Sequence, residues 1–137
     1  MGLSINKMKT TLDSKKFVFL GNEEFGIPVI SGLLEKFPDK FVAIYTSVKM
    51  EHKFDFLSSK FNVPLHKVKH INEHLDDISG YQPTALIVCG WSQIIKPEFM
   101  QNFSCIGMHP TLLPKRRGRN PITWTLIDGL KESGVTV

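Results

Sequence analysis

The sequence has 137 residues, of which 42% are hydrophobic and 22% are charged, and the charges are spread along the chain. This composition predicts one globular domain with its own core, and it excludes a disordered chain or a repeat array. The net charge of +4 is mild, so a polyanionic partner is compatible with the composition but is not implied by it.

The amino-terminal residues 1–16 are polar and lack the apolar core of a signal peptide. They predict a flexible leader, followed by a single domain over residues 17–137 in a soluble, cytoplasmic protein. Cys89 and Cys105 lie in apolar runs and match no metal or redox motif, so both are expected to be buried free thiols.

From Phe17 onward, short runs of β-forming residues alternate with amphipathic segments, which is the pattern of βαβ units. The predicted strands cover residues 17–21, 41–47, 64–68, 84–90 and 105–110, and a sixth begins at residue 134. Helical spacing predicts helices over residues 26–37, 50–62 and 122–130. Asn120 and Pro121 are the expected cap and first-turn residues of the last helix. The sequence therefore predicts an α/β fold with an open, mainly parallel, Rossmann-like sheet and helices on both faces.

Ligands of such a sheet bind beyond the carboxyl ends of its strands, so the loops after Gly21, Gly90 and His109 should share one face. The first of these loops, GNEEFG, lacks a complete G-x-G-x-x-G fingerprint and the lysine of a P-loop. A structural turn, with Asn22 capping the next helix, is favoured over a phosphate cradle.

Three histidines, His66, His70 and His74, recur every four residues and on one helix would form a face suited to zinc. Pro64 and the apolar alternation around it interrupt such a helix, and no cysteine or carboxylate completes a ligand set. We expect solvated surface histidines and no metal.

The segment CIGMHPTLLPKRRGRNPITW places His109 at the predicted carboxyl end of a strand, where an imidazole can serve in acid–base chemistry. On this evidence alone, a purely structural histidine is the better interpretation.

The motifs HPTLLP (109–114), Arg117-Gly118, Pro121-Ile122 and GVT (134–136) resemble, in order and spacing, the signature of folate-dependent formyltransferases. That family includes methionyl-tRNA formyltransferases, amino-sugar N-formyltransferases and glycinamide ribonucleotide transformylases. FVFLGNEEFGIPVISGLL resembles the family's first strand and helix, and ALIVCGWSQIIKPEFM resembles its fourth strand and following loop. The resemblance covers nearly the whole chain after the leader.

In this family, an amine attacks the formyl carbon of 10-formyltetrahydrofolate and passes through a tetrahedral oxyanion. The resemblance implies that His109 is the catalytic histidine and that no metal takes part. It also implies folate contacts from Gly90, Trp91, Ser92, Ile94, Leu113 and Pro114, and substrate contacts from Asn22, Thr111, Arg117 and Gly118. For Trp91 and Leu113, ordinary core packing is an equal alternative.

Two departures from the family pattern bear on catalysis. Gly107 stands where the family usually has an asparagine, whose amide donates to the oxyanion. The family's aspartate lies beyond the GVT strand, past Val137, and Asp128 is not expected to replace it because it lies in the preceding helix. We therefore expect a fragment that is incomplete for catalysis on its own.

The basic residues Lys115, Arg116, Arg117 and Arg119 could meet a folate glutamate, a substrate phosphate or RNA, or simply face solvent. Only Val48 and Lys49 separate the second strand from the next helical pattern, whereas methionyl-tRNA formyltransferases generally carry a long basic insertion there. This favours a small amine acceptor, such as a nucleotide-linked amino sugar, over methionyl-tRNA. A non-catalytic folate- or metabolite-binding remnant is the third hypothesis.

Overall fold

A computed structural model describes residues 14–22 and 25–137 of the chain. It contains a five-stranded sheet in the order β3-β2-β1-β4-β5, and each neighbouring pair of strands is parallel. The strands are β1 (Phe17–Gly21), β2 (Phe41–Ser47), β3 (Leu65–Val68), β4 (Ala85–Cys89) and β5 (Ser104–Met108). The predicted Rossmann-like parallel sheet is confirmed.

The described part of the chain also contains five α-helices and two 3-10 turns, and the last helix follows β5. The helices are α1 (Gly26–Lys36), α2 (Glu51–Phe61), α3 (Leu75–Gly80), α4 (Pro97–Asn102) and α5 (Pro121–Ile127). The 3-10 turns are Val48–Met50 and Ile71–Glu73. The sequence predicts α1, α2 and α5 but not α3 and α4, because six residues are too few to show helical periodicity.

Alternating side chains of the strands bury against helices on both faces of the sheet. On β1, Phe19 packs in a cluster with Ile30 of α1 and Phe54 of α2. Val18 lies in the opposite cluster, which includes Phe99 of α4. Full burial of one such side chain stabilises the fold by about 1.5–3 kcal/mol, so both faces contribute to the core.

The two cysteines differ in burial, so the prediction that both are buried is wrong for Cys105. Cys89 on β4 is buried, and this burial raises the pKa of its thiol to about 11. Cys105 is exposed on β5, which is an edge strand of the described sheet. An apolar run on an edge strand is not covered on both faces, unlike the same kind of run on a central strand.

The predicted sixth strand is reduced to a single antiparallel bridge between Thr136 and His109. Asn120 occupies the predicted cap position of α5, but its φ of 53° is left-handed and its side chain makes no capping hydrogen bond. Asparagine tolerates this conformation, which differs from the extended backbone of a capping residue. Pro121 lies in the first turn, as predicted.

Most of the predicted leader, residues 1–13, lies outside the described residues. Lys16 is described and bonds to Thr84 in both directions, through its amide to the Thr84 hydroxyl and through its carbonyl to the Thr84 amide. No helix within residues 14–22 and 25–137 is long and apolar enough to cross a membrane.

Candidate functional site

A cavity of about 690 Å³ lies beyond the carboxyl ends of β1, β4 and β5. Its walls are Phe25, the turn 90–94 after β4, residues 108–110 at the end of β5, and the segment 118–123 that leads into α5. After β1 the chain continues to β2 on one side of β1, whereas β4 pairs with β1 on its other side. The direction in which strands are added to the sheet therefore changes at β1. Ligands of open α/β sheets bind at such a switch point.

The structure brings together six of the residues predicted from the sequence. Gly90, Trp91, Ser92, Ile94, His109 and Gly118 all line this cavity. Asn22 adjoins it, because its side-chain nitrogen donates to the Ser92 hydroxyl over 2.8 Å. Leu113, Pro114, Thr111 and Arg117 are not among the lining residues. Pro114 and Arg117 instead line a second groove of about 630 Å³, together with Lys115 and Trp124.

His109 is held at three points. Its amide donates to the Thr136 carbonyl over 2.8 Å, and its carbonyl accepts from the Thr136 amide over 2.9 Å. Its ring Nε2 lies 2.9 Å from the carbonyl oxygen of Arg116. Because a carbonyl only accepts, Nε2 must carry the hydrogen of this bond. The backbone and the ring of His109 are therefore both fixed by neighbouring main-chain groups.

Thr111 stabilises the loop after His109 from within. Its side chain is buried, and its hydroxyl lies 3.3 Å from the carbonyls of both Lys115 and Arg116. The Thr136 hydroxyl donates to the Thr111 carbonyl over 2.8 Å and accepts from the Leu113 amide over 3.0 Å. These bonds place Thr111 inside the loop, away from the cavity.

Asn22 does not cap α1, contrary to the prediction. The residue at the cap position is Phe25, and α1 has no side-chain capping bond. Asn22 Oδ1 and Trp91 Nε1 are both buried and have no hydrogen-bond partner among the described residues. Within the described residues, one acceptor and one donor at or beside the cavity are therefore buried and unpaired.

Two of the three spaced histidines are structural, which corrects the prediction that all three are solvated. The His66 ring stacks on Tyr45 with 4.5 Å between ring centroids, and its Nε2 lies 2.7 Å from the Tyr81 hydroxyl. Burial lowers the pKa of His66. His74 pairs with Asp77 at 2.8 Å, whereas His70 is exposed. Residues 14–22 and 25–137 contain no group of three or more potential metal ligands.

Gly107 lies on β5, two residues before His109, so both positions face the same side of the strand. A Cβ added at Gly107 would meet no heavy atom within 4 Å, and its backbone is not left-handed. The backbone at this position therefore accepts a larger side chain.

Sequence reasoning missed several cavity residues, including Phe25, Met108 and the segment 120–123. Gln93 clamps the turn after β4 to the chain after β3, because its side chain bonds the Ile71 amide at 3.1 Å and the Lys69 carbonyl at 2.8 Å. For Phe25 and Met108, the one sequence signal of a position at the cavity is that both lie close to the ends of predicted strands. No local pattern reveals a clamp across 22 residues.

The fold and this cavity define a parallel α/β protein with a histidine at the edge where the carboxyl ends of β1, β4 and β5 meet. Residues 34–137 match the model of the formyl transferase family, and the chain belongs to that family. It is 31% identical over 147 residues to the methionyl-tRNA formyltransferase of Malacoplasma penetrans. This alignment covers 96% of this chain and 44% of that protein. It is 32% identical over 132 residues to the enzyme of the same name from Nitratiruptor. This second alignment covers 88% of this chain and 44% of the relative.

The chain thus spans less than half the length of these relatives. Among solved structures, it resembles the phosphoribosylglycinamide formyltransferase of Anaplasma phagocytophilum with a TM-score of 0.73 and 16% identity, over 89% of this chain and 62% of the other. Glycinamide ribonucleotide transformylase 1 of Geobacillus kaustophilus gives a TM-score of 0.71 and 20% identity, over 89% of this chain and 72% of the other. These similarities show the shared fold.

Proposed function

We propose that this domain binds 10-formyltetrahydrofolate in the cavity beyond β1, β4 and β5 and contributes His109 to formyl transfer onto a primary amine. The observation that carries the proposal is the position of His109, which lines the same cavity as the turn 90–94. The family match over residues 34–137 supplies the class of reaction.

In this reaction a nitrogen–carbon bond forms between the amine and the formyl carbon, and the bond from that carbon to folate N10 breaks. One proton leaves the amine and one is gained by N10. An imidazole beside the formyl carbon can accept the proton of the amine and supply one to N10, and once protonated it can stabilise the oxyanion. The proposal assigns this role to His109.

The folate site is proposed at the turn after β4. Trp91 and Ile94 line the cavity and offer apolar surface to a flat ring. Gly90 has a φ of 68°, which lets the chain turn sharply at the cavity wall. Leu113 and Pro114 lie outside this cavity, so their contact with folate stays a prediction.

The two tryptophans allow a direct test of folate binding, because Trp91 lines the cavity and Trp124 lines the second groove. In W124F, where Trp91 is the sole reporter, 5-formyltetrahydrofolate should quench fluorescence with saturation. In the matched variant W91F, absorbance-corrected emission from Trp124 should change little. Equal changes in both variants, or none in W124F, would place folate elsewhere or exclude its binding.

A small amine carried by a nucleotide, such as a nucleotide-linked amino sugar, is the proposed acceptor. After Ser47 the chain enters the 3-10 turn Val48–Met50 and then α2 directly, so no long loop follows β2. The alignment with the Malacoplasma penetrans relative runs over 147 residues, more than the length of this chain, so that relative contains residues without a counterpart here.

The lining of the second groove favours an acceptor that carries a nucleotide. Pro121 lines both this groove and the cavity, so the two are adjacent. Lys115 and Arg117 lie on the groove wall, and Trp124 is 53% exposed there. Cations of this kind bind phosphates, and an exposed indole can stack on a base. Arg117 and Gly118, one in each site, remain the proposed substrate contacts.

Methionyl-tRNA is the second candidate acceptor, and it is favoured by the names of the similar curated relatives. The protein expressed from its complete gene should be given 10-formyltetrahydrofolate with either methionyl-tRNA or a panel of nucleotide-linked amino sugars. We expect faster formylation of an amino sugar than of the tRNA. Selective formylation of the tRNA would establish the second candidate and reject the first.

A further inference from the structure

The carboxylate of Asp128 forms an ion pair with the guanidinium of Arg116. Asp128 directly follows the last residue of α5, and Arg116 belongs to the loop between β5 and α5. The side chains are 32% and 36% exposed, respectively, so solvent only partly screens the pair. The ion pair therefore joins the end of α5 to the loop that follows His109.

Arg116 contacts His109 through its main chain. Its carbonyl accepts the hydrogen bond from His109 Nε2 at 2.9 Å. Its φ of 57° is left-handed, a conformation that few residues other than glycine adopt. Such a conformation persists where the surroundings hold it, and the bond from the Arg116 side chain to Asp128 is one such restraint.

The Arg116 carbonyl has a second contact, which is longer than its hydrogen bond from His109 Nε2. The Thr111 hydroxyl lies 3.3 Å away and is equally distant from the carbonyl of Lys115, so its single hydrogen is shared between two acceptors. A bond of this length is at the long end of the range for a hydroxyl donor. The ion pair is thus a second restraint on the loop segment that carries the Arg116 carbonyl.

We propose that Asp128 is a positioning residue for His109. Through its ion pair with Arg116, it holds the Arg116 carbonyl against His109 Nε2 and so fixes both the orientation and the tautomer of the imidazole. Asp128 does not touch His109 and acts only through Arg116. The geometry gives this carboxylate a part in the site although it lies at the end of a helix, one residue past α5.

The fixed tautomer of His109 determines which ring nitrogen can take up a proton. With its hydrogen on Nε2, the neutral ring has its lone pair on Nδ1. If the domain acts as proposed above, Nδ1 is the atom that accepts the proton of the attacking amine, while Nε2 keeps its hydrogen and donates it to the Arg116 carbonyl throughout. This last step rests on the proposed function, but the tautomer and its dependence on Asp128 do not.

The test uses ring N–H exchange of the 137-residue chain, labelled with ¹⁵N and observed by NMR at a pH where the imidazoles are neutral. In the wild type, the Nε2 proton of His109 should be protected from exchange with water. In D128N this exchange should be at least about tenfold faster, while the amide protons of β1 and β4 keep their protection. E132Q removes another exposed carboxylate near α5 and should leave the His109 ring proton unchanged.

A charge swap provides a second, independent variant. R116D alone should lose the protected ring proton, and the double variant R116D/D128R should regain it, because aspartate tolerates the left-handed backbone at position 116. Protection that survives in both D128N and R116D would overturn the proposal. So would protection lost only in Thr111→Val. Because no folate is present, failure of the folate titration leaves this result intact, and failure here leaves folate binding intact.

Discussion

Replacement of His109 by alanine is expected to lower the rate of formyl transfer about 10²–10⁴-fold, the usual contribution of a positioned general acid–base group. The assay uses the protein expressed from its complete gene, with 10-formyltetrahydrofolate and an accepted amine. The backbone bonds between His109 and Thr136 do not involve the ring, so the variant loses only the hydrogen bond to the Arg116 carbonyl. Unfolding should become easier by about 1 kcal/mol, which leaves the fold intact.

The matched control is His70→Ala, because His70 is exposed and lies outside the cavity. It should keep both full activity and wild-type stability. An undiminished rate in the His109 variant would contradict the assigned role. If instead the wild type formylated no amine tested, the non-catalytic binding remnant would become the better hypothesis.

The architecture could be predicted from the sequence because each central strand is apolar on both faces and is separated from the next by a helical pattern. In β1, Val18 and Phe19 bury on opposite faces, so the run FVFLG has no polar alternation. The parallel order then places the ends of β1, β4 and β5 at one edge. This geometry is why the sequence alone predicts that the loops after Gly90 and His109 share one face, and both residues line the cavity.

The errors arise where a residue's environment depends on distant parts of the chain. Cys105 and Cys89 lie in similar apolar runs, but β4 is central and β5 is an edge strand. His66 matches a surface pattern, yet it stacks on Tyr45 of β2, which is a contact between two strands. The role of Asp128 was missed for the same reason. The number of residues between Asp128 and Arg116 does not predict that their side chains form an ion pair.

Substitution of Gly107 by asparagine is expected to raise the rate of formyl transfer by up to about 10²–10³-fold, because it restores an amide donor on the strand face that bears His109. Loss of one oxyanion donor typically costs ~2.7–4 kcal/mol of transition-state stabilisation, and this sets the upper limit of the gain. The side chain has room, since a Cβ at position 107 meets no heavy atom within 4 Å. The backbone there is not left-handed, so asparagine adds no strain.

The control is Gly107→Ala, which adds the same Cβ and the same restriction of the backbone but no amide. Both variants should fold with little change in stability, measured by urea unfolding, because position 107 is exposed on an edge strand. A gain in the asparagine variant alone would identify the amide as the missing group. An equal gain in both variants would assign the effect to the stiffer strand. No gain with the fold preserved would mean that another donor, such as a main-chain amide at the cavity wall, already stabilises the oxyanion.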